Sequence, residues 1–362
     1  MFFPTFSIRK KLKSEVTLFS KPNRKRTFLF IAPLAVIFIT AGGFLSWRTL
    51  QKNSQATIYF TNREIYDAAL LIDKPNKEEE KNICENCGYA QILFAGDLMF
   101  DRYIRQAAEK KGNNFIFEKV SDFLKNFDLV VVNLEGPITP SASVSIGTEP
   151  GSSANYLFTF DPSLAKILFG QNIKLVNLGN NHILNFGQKG LDSTEKYLPE
   201  ANIGYFGAPN GQQSVIKNIR GIKIAFVSYN QFANDPLKNR KTALAEIKKA
   251  KQEAAIVILY AHWGIEYTVN PNNTIKDLAR QFIDAGADLI VGSHPHVIEP
   301  LEEYKGKRIY YSLGNFIFDQ YFNAFVRQGQ GVIVKIDAKT KQLDFSEKKF
   351  YLESNGQTSI AE

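Results

Sequence analysis

Histidine is scarce in this chain of 362 residues: there are four. Cysteine is scarcer still, with Cys84 and Cys87 alone, in Cys-Glu-Asn-Cys. Two cysteines exclude a disulfide-built scaffold. A zinc site on this pair needs two further ligands close by, and the neighbouring sequence offers none. The thioredoxin-like βαβ context of a redox motif is also missing. A local disulfide in an oxidising compartment, or an idle pair, is what remains. Net positive charge is nearly absent from most of the chain, although the total is +8. Residues 1–27 carry eight basic groups and one acid, which is +7, so everything beyond them contributes +1. No basic, aromatic-interleaved face is left for nucleic acid.

Long apolar runs are equally few. Phe28–Trp47 is twenty residues without a charge, and at about 1.5 Å per residue it spans the roughly 30 Å hydrocarbon core of a bilayer. Basic residues crowd only its N-terminal side and Trp47 stands at the far boundary, so positive-inside logic keeps 1–27 cytoplasmic and puts the rest outside. A cleaved signal peptide is the alternative, but the run exceeds a typical h-region and no A-x-A site follows. A buried core helix is a third reading, opposed by the one-sided charge. Residues 48–88, with the charged stretch Lys74–Lys81, read as a solvated stalk holding one short helix around Glu64–Ile72. The expected organisation is a basic tail (1–27), an anchor (28–47), a stalk (48–88), one domain (89–355) and a short tail (356–362).

Within the domain, apolar runs of strand length alternate with segments of helical period. Strands are expected at Gln91–Ala95, Leu129–Asn133, Lys174–Leu178, Lys223–Ser228, Ala255–Tyr260, Asp288–Val291, Arg308–Ser312, Gly331–Ile336 and Gln342–Leu352. Helices are expected at Arg102–Lys111, Phe117–Asn126, Pro162–Phe169, Gln188–Leu198, Arg240–Gln252 and Thr274–Ala285. Asp161-Pro162 makes a helix start, and Gly112, Gly170 and Gly286 stand at C-cap positions. The alternation predicts an α/β fold with helices outside buried sheets. The last strands lack intervening helices, which fits an antiparallel edge or a second sheet. Ser141–Ser153 reads as a surface loop beside the site.

All four histidines fall where strands end: His182 in Asn-Leu-Gly-Asn-Asn-His, His262 in Tyr-Ala-His-Trp-Gly, His294 and His296 in Gly-Ser-His-Pro-His. Asp97 and Glu135 close apolar runs in the same way, and Asn181 precedes His182. Ligands gather at the carboxyl ends of strands in open α/β folds, and Asp, Glu, Asn and His together are the donors of a divalent-metal site. Any one of them alone is an ordinary turn, cap or structural residue. The ordered set argues for a metal or polar catalytic cluster.

Six motifs, Gly-Asp97-Leu-Met-Phe, Asn-Leu-Glu135, Asn-Asn181-His182, His262-Trp-Gly-Ile-Glu-Tyr, Gly-Ser-His294-Pro-His296 and Tyr-Ser-Leu-Gly-Asn315-Phe, resemble the CapA family of capsule-synthesis proteins. That family is linked to poly-γ-glutamate production and belongs to the calcineurin-like metallophosphoesterase superfamily. The resemblance covers roughly residues 90–320. It implies a four-layer α/β/β/α sandwich of the metallo-dependent phosphatase type, with a centre of one or two divalent ions (Mn, Fe or Zn) at one end of the paired sheets. By the resemblance, Asp97, Glu135, Asn181, His262, His294 and His296 are metal ligands, and His182 meets the scissile phosphate and leaving group. Two cations would activate a water and neutralise phosphate oxygens.

The sequence departs from the superfamily pattern at three positions. Met99 stands where Asp-x-His has its histidine, and a thioether is a poor ligand for such ions; another group such as Asp101 would have to complete that position. Glu135 replaces a shorter aspartate. Asn185 stands where relatives commonly carry Asp. Arg102 either binds an anionic substrate oxygen or opens the following helix. Glu266, Tyr267 and Asn315 are candidates for a surrounding shell, the first two orienting His262, and Trp263 reads as a packing residue. The implied partners are a membrane, an anionic envelope polymer or phosphate-bearing intermediate, and other membrane subunits of a capsule complex. Two functions follow: an anchored extracytoplasmic phosphoesterase-like enzyme, or a non-catalytic assembly or export component that keeps the fold.

Overall fold

The structure is a computed structural model that describes residues 88–361 apart from Asn210. The basic tail, the anchor expected at 28–47, the stalk before Gly88 with its short helix, and the Cys84–Cys87 pair lie outside the described residues. Among the described residues no helix is long and apolar enough to cross a membrane.

Two sheets form an α/β fold. The first contains β1 (Tyr89–Leu98), β2 (Leu129–Leu134), β3 (Ile173–Asn177) and β4 (Gly204–Phe206) in parallel. β11 (Asn315–Ile317) adds to the end of β1, and the antiparallel strands β12 (Gln328–Asp337), β13 (Leu343–Leu352) and β14 (Thr358–Ile360) complete the other edge. The second runs in the order β5 (Ser214–Ile219), β6 (Ile222–Asn230), β7 (Ile256–His262), β8 (Leu289–Ser293), β10 (Lys307–Tyr310), β9 (Leu301–Tyr304). The helices are α1 (Arg102–Lys111), α2 (Asn113–Phe117), α3 (Ser121–Leu124), α4 (Ser163–Gly170), α5 (Gly187–Glu200), α6 (Pro236–Glu253) and α7 (Asn273–Ala285).

The apolar strands are buried on both faces, which is why they read as continuous runs rather than alternations. Ile92 and Phe94 of β1 join Ile224 and Phe226 of β6 in a core between the sheets. Leu93 and Ala95 face the other way, into a core with α1 to α5. Ala225 and Val227 of β6 likewise pack with α6 and α7.

Several expectations shift. Of the helix expected over Phe117–Asn126 only the short α3 forms, α2 ending at Phe117 before it, and Ile116, Phe117, Val120 and Leu124 all reach the core. α4 starts at Ser163, and Asp161 caps it from one residue further out by accepting from the Ser163 N–H at 2.9 Å. Gly170 is the last residue of α4, and Gln171 is its C-cap. Residues 356–361 are no tail, because β14 pairs with β13 through Phe350, Tyr351 and Leu352. β4, β5, β9, β11 and β14 are strands beyond those expected. Each has six residues or fewer, and β5, the longest, is half-exposed at an edge.

Register positions the site. Asp97, Asn133 and Asn177 are partners across β1, β2 and β3. Asn230, His262 and Ser293 are partners across β6, β7 and β8. Each sheet therefore ends in a polar row at the carboxyl ends of its parallel strands.

One buried acid lies outside this site. Both carboxylate oxygens of Glu299 lack hydrogen-bond partners, and burial, only partly offset by the Lys276 charge, pushes its pKa up to about 7. A raised carboxyl pKa means stability that is present below the unfolded value, near 4.5, and lost as pH rises through 7. Glu299→Gln should therefore raise stability by roughly 1–2 kcal/mol at pH 8 and leave it unchanged at pH 4. Urea unfolding at both pH values checks this; an equal effect at the two would refute it.

Candidate metal centre

Asp97 ends β1 fully buried. Gly96 before it has no room for a side chain: a Cβ there would stand 1.8 Å from the Gly314 carbonyl oxygen. The carboxylate is held from both sides. Its Oδ1 accepts from Asn133 Nδ2 at 2.8 Å and its Oδ2 from the His294 N–H at 3.1 Å. Burial works to raise its pKa, but the hydrogen bond and charge of His296, the charge of His262 and the Asn133 amide outweigh it and bring the value to about 2.

Glu135, also fully buried, behaves oppositely. Burial first, then the charge of Asp97, raise its pKa well above the usual carboxyl value. Its Oε1 has no hydrogen-bond partner, and the nearest imidazole nitrogens, Nε2 of His296 and of His182, stand at 3.6 and 3.9 Å.

The His294-Pro-His296 turn is bent into the left-handed region, with φ of +96° at His294 and +58° at His296. Non-glycine residues seldom adopt such values, and clusters of them mark functional sites. His296 Nδ1 lies 2.9 Å from Asn315 Oδ1. Asn315 Nδ2 donates to Gln320 Oε1 and the Val326 carbonyl, so its oxygen is the acceptor for His296. That fixes the proton on Nδ1 and turns the Nε2 lone pair toward Glu135. His294 is buried with no partner for its Nδ1, and burial, then the His296 charge, lower its pKa to about 3. His262 Nε2 stands 2.8 Å from Asn181 Oδ1, and its Nδ1 meets Ser293 Oγ at 2.9 Å. The His262 and His294 rings are 4.9 Å apart, and the Phe232 ring covers His294 at 4.1 Å.

Of the six expected ligands, Asp97, Glu135 and His296 are brought together, His294 lies with His296, and His262, which Asn181 contacts, sets its ring beside His294. Ligand atoms of Asp97, Glu135 and His296 lie within 4.8 Å of one another, as do those of Glu266, His294 and His296. The residues fit a divalent cation, because two buried polar atoms, Glu135 Oε1 and His294 Nδ1, are otherwise unsatisfied, and a buried carboxylate oxygen without a partner is costly. The donor set of carboxylate oxygen, amide oxygen and imidazole nitrogen suits a divalent metal ion.

His182 approaches the cluster at Glu135, its Nε2 standing 3.9 Å from Oε1. Its Nδ1 is 3.1 Å from both the Tyr156 carbonyl and Asn185 Oδ1. Asn185 Oδ1 also accepts from the Phe158 N–H at 2.8 Å. Burial, opposed by the Asn185 contact, lowers the His182 pKa to about 4.

The remaining candidates have other partners. Arg102 opens α1, and its guanidinium is occupied: Nε and Nη2 bind the Asp319 carboxylate and Nη1 binds Asn155 Oδ1. A substrate oxygen would have to displace that carboxylate. Asp101 does not complete the metal set, because its oxygens cap α1 through the Arg102 N–H and hold the Thr159 N–H at 2.8 Å. Met99 packs in the helix-side core and its Sδ accepts from the Asp101 N–H. Glu266 lies with His294 and His296 rather than orienting His262. Tyr267 sets its ring 6.2 Å from His296, and its hydroxyl accepts from Gln320 Nε2 at 3.2 Å. Trp263 is buried and donates to the Tyr311 carbonyl, a packing role.

Sequence reasoning missed Asn133, Asn177, Asn180, Ser293 and Asp319. Asn133 Oδ1 accepts from Asn177 Nδ2 and Asn180 Nδ2 while its amide serves Asp97, so one asparagine joins three strand ends. Its signal is present: it interrupts the apolar run Leu129–Leu134 two residues before Glu135.

The family described as "Bacterial capsule synthesis protein PGA_cap" matches residues 91–320. The PGA biosynthesis protein CapA of Bacillus subtilis (strain 168) is 34% identical over 243 residues, 63% of each chain. The capsule biosynthesis protein CapA of Bacillus anthracis is 32% identical over 248 residues, 63% of this chain and 60% of that one. The chain thus spans under two thirds of the length of these relatives. A solved structure of a hypothetical protein from Thermus thermophilus overlays with a TM-score of 0.44 at 15% identity, covering 72% of this chain and 99% of that one. With the family match running through every motif of the site, the chain belongs to the bacterial capsule synthesis protein family PGA_cap.

Proposed function

We propose that this is a membrane-anchored, extracytoplasmic protein of capsule-type polymer production, poly-γ-glutamate or a related anionic envelope polymer, with a metal-dependent phosphoesterase-like site. The observation that carries the chemistry is the buried Asp97–Glu135–His296 triad with an unsatisfied Glu135 oxygen at the ends of paired sheets. The three stacked apolar cores support a four-layer α/β/β/α sandwich of the metallo-dependent phosphatase type. The names of the two Bacillus relatives support the polymer. The anchor and its partner subunits rest on the charge-flanked Phe28–Trp47 run.

Asp97, Glu135, Asn181, His262, His294 and His296 would hold one or two divalent ions, which supply Lewis-acid activation of water and of phosphate oxygens. Asn133 orients Asp97 through one oxygen and leaves the other facing His296. Asn315 keeps the proton of His296 on Nδ1. His182 holds its own Nδ1 proton against the Tyr156 carbonyl and Asn185 Oδ1, so Nε2 is the atom that takes and delivers a proton to a departing oxygen. The test is hydrolysis of phosphomonoesters and phosphodiesters by the purified protein with Mn²⁺, together with its metal content. Bound metal with turnover is expected. Neither metal nor hydrolysis, with normal polymer in a His294→Ala strain, would sink the reading.

A second reading is a non-catalytic assembly or export subunit. Its support is specific: Met99 supplies no donor to the site, Arg102 is tied to Asp319, and Asn185 stands without a charge beside His182. On that reading Asp97→Ala and His296→Ala strains make normal polymer, while deletion of residues 28–47 abolishes it.

A further inference from the structure

We propose that Glu266 is itself a metal ligand, supplying from the mouth of the site, with His294 and His296, the donor that position 99 lacks. The inference rests on the metal-dependent reading above. One ligand atom from each of the three residues lies within 4.8 Å of the other two. Donors held about 2.0–2.2 Å from a cation stand roughly 3–4.4 Å apart, so a cation bound by all three would draw them closer together. His294 gives the second, independent sign: it is 4% exposed, and its Nδ1 has no partner among the described residues.

The backbone holds the three residues to this arrangement. Tyr267, next to Glu266, has a φ of +64° and donates its N–H to the Pro295 carbonyl at 2.8 Å. That bond fastens the Glu266 segment to the His294-Pro-His296 turn, which also carries positive φ values. Left-handed conformations cost of order 1–3 kcal/mol each in non-glycine residues, and three of them, at His294, His296 and Tyr267, fall in these two fastened segments. Met99 cannot compete for the role, because its sulfur is engaged by the Asp101 N–H at 3.0 Å within the helix-side core.

The test is a Mn²⁺ titration of the full-length protein, with free Mn²⁺ read by its electron paramagnetic resonance signal. Glu266→Gln and His294→Ala should each weaken binding by about tenfold or more. The double variant should be little worse than either single one, since both remove donors to the same ion. Wild-type affinity in Glu266→Gln, or effects that add in full, would overturn the assignment even if phosphoesters are hydrolysed. Lost affinity in a protein that hydrolyses no phosphoester would leave Glu266 as a ligand and remove the enzyme reading instead. Circular dichroism of Glu266→Gln should match the parent, which separates a lost ligand from a lost fold.

Discussion

Saturating Mn²⁺ should raise the unfolding midpoint by roughly 5–10 °C, and Asp97→Asn should remove the shift. Two carboxylates, Asp97 and Glu135, are fully buried at the ends of adjacent strands. Burial and the Asp97 charge hold Glu135 toward its protonated form, and its Oε1 is unsatisfied. A cation that binds only the folded state at a hundred times its dissociation constant adds about 2.7 kcal/mol. For a domain of this size each kcal/mol moves the midpoint by roughly 2–4 °C. The sign of the pH dependence follows from Glu135. Its folded pKa is raised, so the stability it contributes is present below the unfolded value of about 4.5 and lost as pH rises through the folded value. A cation offsets that loss, so the Mn²⁺ shift should be larger at pH 8 than at pH 5. Differential scanning fluorimetry with Mn²⁺ or a chelator reads both. An Asp97→Asn protein that is stabilised as much as the parent would place the cation elsewhere.

The parallel strands are legible in the sequence because they are buried on both faces and therefore apolar throughout, as with Leu129–Val132. The candidate ligands are legible because each interrupts or closely follows such a run, as Asp97, Glu135, His262 and His294 all do. Edge strands such as β5 carry lysine and asparagine among their apolar residues and sit half-exposed, so their sequence is no different from that of a loop. Contacts made across long stretches of chain are the other blind spot. Arg102 meets Asp319 over 217 residues of sequence, and nothing local to either residue announces the pair. The same holds for Asn133, whose amide serves one strand end while its oxygen gathers two asparagines from another. Glu266 is visible in the sequence as a polar residue near a histidine motif. Its association with His294 and His296 rather than with His262 depends on the Tyr267–Pro295 bond, which has no local sequence signature.

His182→Ala should lower kcat for phosphoesters with a poor leaving group by about 10²–10⁴-fold and leave metal content unchanged, the range for loss of a positioned general acid. The imidazole approaches Glu135 only to 3.9 Å, so its removal takes away no close contact to a carboxylate proposed to hold metal. Esters whose leaving group needs no proton should be hydrolysed nearly as well by the variant, a pattern that simple misfolding would not produce. Asn185 provides the converse experiment. Its Oδ1 stands 3.1 Å from His182 Nδ1 and accepts from the Phe158 N–H. Asn185→Asp keeps both acceptor roles and adds a negative charge beside an imidazole whose pKa burial has brought to about 4. A lowered histidine pKa means stability that is full above the unfolded value of about 6.5 and lost as pH falls from there toward 4. The added carboxylate should raise that pKa, so less stability is lost on acidification, and move the alkaline limb of kcat, where the acid loses its proton, upward by about one to two pH units. Since more of the acid is then protonated at neutral pH, kcat there should rise by roughly tenfold for the poor leaving groups alone. A pH–rate profile in which Asn185→Asp matches the parent on both substrate types would show that His182 does not deliver the proton, and would return the site to the assembly reading that Met99 and the Asp319-bound Arg102 support.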